Sequence, residues 1–271
     1  MSLLVSYTFL DTYKRCHKRA KLQYIDKVVD RSKINHRPFI VGIVVDWLFT
    51  KWISEQGFMD GWMEMKAEAM FRWFADKKHI IYRDGSDKEN LIRRTVNVAR
   101  LLQEAAYDEG LPDLPEDEID TQKIIKFKGE PGFEEFEFFG KADLWFCNKK
   151  ALWDLKVTVQ KKYLKEFQLR FYAWMFERAG YRVDSLAFFV PELSPSFISI
   201  EWDDSIRTDT DLEVIELLND VKNETEWAIT AKDCWGCPVR DHCDKIEAED
   251  VIAEKKDDGS FRVFVGEDLF K

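Results

Sequence analysis

The stretch FEFFGKADLWFCNKKALWDLKV, Phe136 to Val157, holds the reading that decides the fold. Apolar and aromatic residues at strand spacing fill Glu134–Phe139, Ala142–Phe146 and Ala151–Val157, and Asn148-Lys149-Lys150 reads as the turn before the last of them. Asp143 and Asp154 then meet across a hairpin. In Asp154-Leu155-Lys156 the two-residue period puts Asp154 and Lys156 on one face and turns Leu155 into the opposite apolar layer. Two carboxylates and an ammonium on adjacent strands are what hydrolysis of a phosphodiester needs: oxygen ligands for Mg2+ or Mn2+, and a cation beside the attacking water. The alternative is an ordinary ion pair between Asp154 and Lys156.

The pattern continues downstream. Gln168 and Tyr172 are four residues apart, on one face of a helix that runs through Ala173, Trp174 and Phe176 and stops at Gly180. Gly140-x2-Asp143, Asp154-x-Lys156 and Gln168-x3-Tyr172 together resemble the PD-(D/E)XK nucleases, in particular the RecB-like branch. The resemblance implies an α/β fold, a central mixed sheet flanked by helices, with Asp143, Asp154 and Lys156 catalytic. It also implies that Gln168 and Tyr172 border the active site and touch the DNA strand. The same likeness puts Leu155 among the metal-holding positions. RecB-like enzymes usually carry a metal-binding histidine four residues after a glycine on a buried helix; here the stretch is Gly42-Ile43-Val44-Val45-Asp46. Asp46 is therefore either a third metal ligand or a buried acid paired with a lysine or arginine, because an unpaired carboxylate there is costly.

Five cysteines occur, and Cys234-x2-Cys237-x5-Cys243 with the distant Cys16 has the look of a four-thiolate site. One N-terminal and three C-terminal cysteines around such a core are similar to the iron–sulfur nucleases of the RecB-like group, which include the AddB nuclease domain and CRISPR-associated exonucleases. That likeness implies a [4Fe-4S] cluster on Cys16, Cys234, Cys237 and Cys243 that joins the N- and C-terminal regions. Zinc is the alternative, with His17 and His242 as substitute ligands. Cys147 is expected to be a buried strand residue, and His36 and His79 surface residues.

The chain has 271 residues, 45% of them hydrophobic, ample for a core. One nuclease domain over residues 1–271 is expected, with a helical insertion and acidic linker over 56–120 and a cluster-binding segment over 228–246. A first helix capped by Ser6 or Thr8 carries Leu10, Tyr13, Cys16, Ala20 and Tyr24 on one face. Pro38 opens a second helix, apolar nearly all round, that ends near Ile53; two amphipathic helices follow over Trp62–Phe74 and Asp87–Ala106. Further strands are read at Gln122–Lys128, Ser185–Val190 and Phe197–Trp202, a helix at Asp209–Trp227, and a charged, partly irregular tail from Glu247.

The net charge of −10 argues against a generally basic nucleic-acid coat. Local patches are left for phosphate contacts: Lys14-Arg15, Lys18 to Lys21, Arg93-Arg94, and Lys161-Lys162 with Lys165. Asp46 and Lys51 break the longest apolar run, so no membrane span is expected. Without a signal peptide, and with few cysteines, the expected location is the cytoplasm, of its own cell or, for a viral protein, of the host. No Gly-x4-Gly-Lys-Ser/Thr loop is present, so a helicase or recombination protein would be a separate partner. The function expected is metal-dependent cleavage of single-stranded or end-bearing DNA in recombination, repair or replication. A catalytically silent DNA-binding scaffold subunit and a nuclease acting on RNA are the other two readings.

Overall fold

The computed structural model describes residues 2–28, 39–55, 59–78, 80, 82, 84, 86–158, 160, 163–230, 234, 237–243, 251–255 and 261–265. Pro38, His36, His79, Lys161 and Lys162 lie outside them. The chain divides into two compact units: residues 1–7 with 35–223, and residues 8–34 with 224–271.

In the first unit a mixed six-stranded sheet is built on one long strand. Its strands are β1 (Leu3–Val5), β2 (Ile119–Lys128), β3 (Phe136–Phe146), β4 (Ala151–Leu155), β5 (Ser185–Phe189) and β6 (Phe197–Ile200). The order is β1-β3-β4-β5-β6, with β2 on β3. β2 runs antiparallel along residues 137–146 of β3 and takes one of its edges. The other edge is shared: β1 pairs in parallel with Phe136–Phe138, and β4 pairs antiparallel with Leu144–Phe146. Between these partners residues 139–143 have no strand neighbour on that edge among the described residues, and Asp143 lies in the gap.

One face of the sheet carries α6 (Glu166–Arg178), the crossover between the parallel strands β4 and β5. Phe138 packs edge-on against Trp174 of this helix, and Trp145 packs against Phe176. The other core joins α3 (Ile40–Glu55), α4 (Trp62–Lys77) and α5 (Asp87–Asp108) to Ile119, Leu144, Phe146, Ala151 and Phe189 of the sheet. α3 buries the stripe Val41, Val44, Val45, Leu48, Phe49 and Trp52; Gly42, Asp46 and Trp47 lie on its less buried side. The helical insertion is pinned by buried Gln103, whose carboxamide accepts from the Met63 N–H and donates to the Met59 carbonyl. α7 (Asp204–Asn223) completes the unit beside α6.

Several expectations are corrected. Gly140 does not divide two strands: β3 runs through it. A Cβ there would stand 2.8 Å from Met175 Sδ, so glycine serves the close approach of α6. Cys147 is exposed, since β3 ends at Phe146 and Cys147 opens the turn. The first helix stops at Arg15 and a second, α2 (His17–Ala20), begins after Cys16, whose extended backbone (φ −163°, ψ 111°) breaks the run. A π-helical turn, Lys21–Ile25, follows. The helix expected from Asp209 begins at Asp204 and ends at Asn223. β1 and the antiparallel pair β7 (Val251–Lys255) and β8 (Phe261–Val265) were not anticipated.

In the second unit, Glu224 to Thr230 is bonded to the segment around Cys16. Tyr13 stacks on His17 at 4.1 Å, and both reach the Glu224 carboxylate, through the Tyr13 hydroxyl at 3.3 Å and His17 Nδ1 at 2.5 Å. The Lys18 N–H donates to the Ala228 carbonyl, and Thr230 Oγ1 donates to the Arg15 carbonyl.

Candidate active site

Four elements of the first unit aim side chains into the gap beside β3. Asp154, one residue before the end of β4, is 3% exposed; the Lys156 ammonium, two residues on, lies 2.5 Å from its Oδ2. Lys156 Nζ also donates to Gln168 Oε1 at 3.1 Å, and Gln168 Nε2 donates to Asp154 Oδ1 at 3.0 Å. The helical spacing of four brings Gln168 Nε2 within 3.5 Å of the Tyr172 hydroxyl. The β3–β4 ladder stops at the Leu144–Trp153 pair, and past it the Leu155 N–H turns to the Asp143 side chain, donating to Oδ2 at 3.0 Å. Asp46 comes from α3, and Gln122 Nε2 on β2 lies 2.9 Å from its Oδ1 and 3.5 Å from Asp143 Oδ1.

The carboxyl groups repel one another. Burial, together with the charges of Asp154 and Asp46, holds Asp143 well above the usual carboxylate range, against the pull of Lys156 and the Leu155 N–H. Burial also raises Asp46, with Lys141 opposing and Asp154 adding, and raises Asp154 against its Lys156 partner. Burial and the Asp154 charge push the Tyr172 hydroxyl up, so it stays protonated and can donate.

The structure therefore brings Asp46, Asp143, Asp154, Lys156, Gln168 and Tyr172 together, with Leu155 contributing its N–H. No lysine or arginine pairs with Asp46 within ion-pair distance among the described residues; Lys141 is the cation that acts on it through space. Two residues of this neighbourhood were missed by sequence reasoning. Tyr7, just after β1, packs at 6.4 Å on Tyr172 and 6.2 Å on Phe167. Gln122 has no neighbour in sequence that marks it.

Among the described residues, no three His, Cys, Asp or Glu side chains stand ready as a metal cage. Each active-site carboxylate is instead occupied by a protein donor. The donor set suits a hard cation all the same, because three carboxylates with raised pKa values gain most from one. The cysteines differ: Cys16 is buried, Cys234, Cys237 and Cys243 are partly exposed, and none is in a disulfide.

A carboxylate pair with an adjacent lysine, beside a split in a mixed sheet, is the set of groups that metal-dependent hydrolysis of a phosphate ester would use. The chain belongs to the PD-(D/E)XK nuclease superfamily, which matches residues 4–244. Among solved structures, a protein from Eubacterium rectale named "Putative exonuclease" aligns with a TM-score of 0.51 and 13% identity, over 82% of this chain and 81% of that one. A second, SSO0001, aligns with a TM-score of 0.35 and 14% identity, over 76% and 95% of the two chains. No curated protein matches the chain. No helix among the described residues is long and apolar enough to cross a membrane.

Proposed function

We propose that this nuclease is a Mg2+- or Mn2+-dependent deoxyribonuclease, an exonuclease on single-stranded or end-bearing DNA that serves recombination, repair or replication. The observation that carries the reading is the convergence of Asp46, Asp143 and Asp154 on one gap, with the Lys156 ammonium held at its edge. Asp46, Asp143 and Asp154, with Leu155, are the positions that would hold the cation. A bound Mg2+ or Mn2+ supplies charge neutralisation at the scissile phosphate and lowers the pKa of the attacking water.

The protein's own part is placement and charge. Lys156 is fixed by Asp154 and Gln168, so its ammonium faces the negative charge that builds on phosphorus-bound oxygens as the water oxygen attacks. One P–O bond to sugar breaks, and that oxygen leaves with a proton. Gln168 and Tyr172 present an amide and a protonated hydroxyl from one helix face, donors and acceptors suited to a phosphate backbone. Duplex ends would be opened by a separate helicase or recombination protein.

The second part of the proposal is a [4Fe-4S] cluster on Cys16, Cys234, Cys237 and Cys243. Its support is that all four cysteines belong to the same compact unit, and that Glu224–Thr230, which leads to Cys234, is bonded to the segment around Cys16. Cys237 N–H donates to the Cys234 carbonyl at 3.1 Å, the tight turn that a C-x2-C ligand pair requires.

The test is incubation with end-labelled DNA and RNA, single- and double-stranded, linear and circular, in Mg2+, Mn2+ or EDTA. Release of mononucleotides or short products from linear DNA alone, abolished by EDTA, is expected. Cleavage of circles would assign an endonuclease, preference for RNA would change the substrate, and cleavage in EDTA would remove the cation.

A further inference from the structure

Gln122 is out of keeping with its strand. Its φ is +58°, a left-handed conformation that residues other than glycine, asparagine and aspartate seldom adopt and that strains the backbone. The β2–β3 ladder pairs Thr121 with Leu144 and Lys123 with Ala142, and omits Gln122 with Asp143 between them. Alternation also changes sense there. In β3, even-numbered Phe138 and Gly140 face α6, whereas beyond Asp143 it is Trp145 that packs on α6, and Leu144 and Phe146 join the α3 core. In β2, Phe127 packs on Trp174 of α6 while Ile119, of the same parity, lies in the α3 core. An ordinary strand keeps its faces along its length.

The distortion puts one carboxamide between two carboxylates on different elements. Gln122 Nε2 is 2.9 Å from Asp46 Oδ1 on α3 and 3.5 Å from Asp143 Oδ1 on β3. Both carboxyl groups are raised by burial, and each feels negative charge from its neighbours. A lysine at this position would join them by neutralising them. An amide joins them and leaves their charge for a cation.

We propose that Gln122 is a positioning residue that sets Asp46 against Asp143 as a two-carboxylate half-site for the divalent cation. The inference rests on the metal-dependent reading above. It adds that the half-site is built by a strained residue of β2 and is not simply a consequence of where α3 and β3 run. Hydrogen-bonding partners of metal ligands of this kind change metal affinity by about 10–100-fold when removed.

The test is Mn2+ binding to the full-length protein by calorimetry, followed by the Mn2+ dependence of cleavage. Gln122→Gly keeps the backbone freedom and removes the amide, and is expected to weaken Mn2+ binding about 10–100-fold. It should raise the Mn2+ concentration for half-maximal cleavage in step and leave kcat at saturating Mn2+ within about threefold. Gln122→Asn, which tolerates the same φ, should recover part of the affinity, and Gln122→Gly added to Asp46→Asn should weaken binding little further. Unchanged Mn2+ affinity in Gln122→Gly, or full additivity with Asp46→Asn, overturns the inference. If Gln122→Gly does not fold, retention of wild-type Mn2+ affinity by Gln122→Lys, which cannot bridge without adding charge, overturns it instead. Failure of the metal-dependent reading itself looks different: the wild-type protein then binds no Mn2+ and cleaves in EDTA.

Discussion

The carboxylate centre and the cysteine centre are assembled to different degrees by folding alone. In the first, every acid is already aimed and held by a protein donor: Asp46 by Gln122, Asp143 by the Leu155 N–H, Asp154 by Gln168 and Lys156. In the second, Cys16 is buried at a break between helices, and Cys234, Cys237 and Cys243 are partly exposed. The chemistry of the ligands explains the contrast. A carboxylate oxygen is a strong acceptor, so backbone and amide N–H groups can stand where a cation later will. A thiolate site of the proposed kind would instead take its final geometry from the metal it binds.

The comparison breaks first if the carboxylate centre is not where bonds are cut. Asp154→Ala and Lys156→Ala should each lower single-turnover cleavage by about 10^3-fold or more, with DNA affinity held within about tenfold. Rapid-quench kinetics with a filter-binding titration measures both. Turnover equal to wild type in either variant would place the chemistry elsewhere. Asp46 sharpens the same point. Asp46→Asn should cost about 10–100-fold at low Mn2+ and recover at high Mn2+, and Asp46→His, which keeps a metal-binding side chain, should keep measurable Mn2+-supported cleavage. Unchanged metal dependence together with a large drop in melting temperature would make Asp46 a purely structural acid.

The meeting of Asp143, Asp154 and Lys156, and the strands that carry them, were legible because both are local. A period of two marks β3 and β4, and the turn between them follows from Asn148-Lys149-Lys150. What could not be read depends on partners remote in sequence. Gly140 resembles a strand end until the Met175 thioether is seen pressed on it. β1 has three residues, too few for a pattern, yet it opens the gap by taking the far end of one β3 edge. Gln122 lies among strand formers, Thr121, Ile124 and Ile125, and nothing beside it announces a left-handed residue. The break at Cys16 is equally silent, since Lys14-Arg15 and Lys18-Arg19 read as unbroken helix.

The cysteine centre gives a smaller effect, of another kind. Protein purified without oxygen should be brown with broad absorption near ~400 nm, as thiolate-held iron–sulfur clusters are. Cys237→Ser should lose the colour and melt about 5–10 °C lower, because the ligand set closes a loop from residue 16 to residue 243 that the unfolded chain otherwise explores; about 2–4 °C accompanies each kcal/mol in a chain this long. Elemental analysis accompanies the melt. Stoichiometric zinc in colourless protein would replace the cluster by a zinc site and leave the nuclease assignment standing.

The smallest effect has the opposite sign. Asp143 is held well above the usual carboxylate range by burial and by two neighbouring acids, so in EDTA its ionised form burdens the fold. A carboxyl with a raised folded pKa adds stability that is fully present below its unfolded value of about 4, and loses it as pH rises through the folded value. Asp143→Asn keeps the shape, can still accept the Leu155 N–H, and has no charge to bury. In EDTA at neutral pH it should therefore be more stable than wild type. The gain should shrink as pH falls toward 4, and excess Mn2+ should reverse it by stabilising only the wild-type protein. Thermal melts across pH, with and without Mn2+, measure this. A variant less stable than wild type at neutral pH in EDTA would mean that Asp143 is a satisfied structural acid, and the contrast between acids held by protein donors and partly exposed cysteines would then lose its first half.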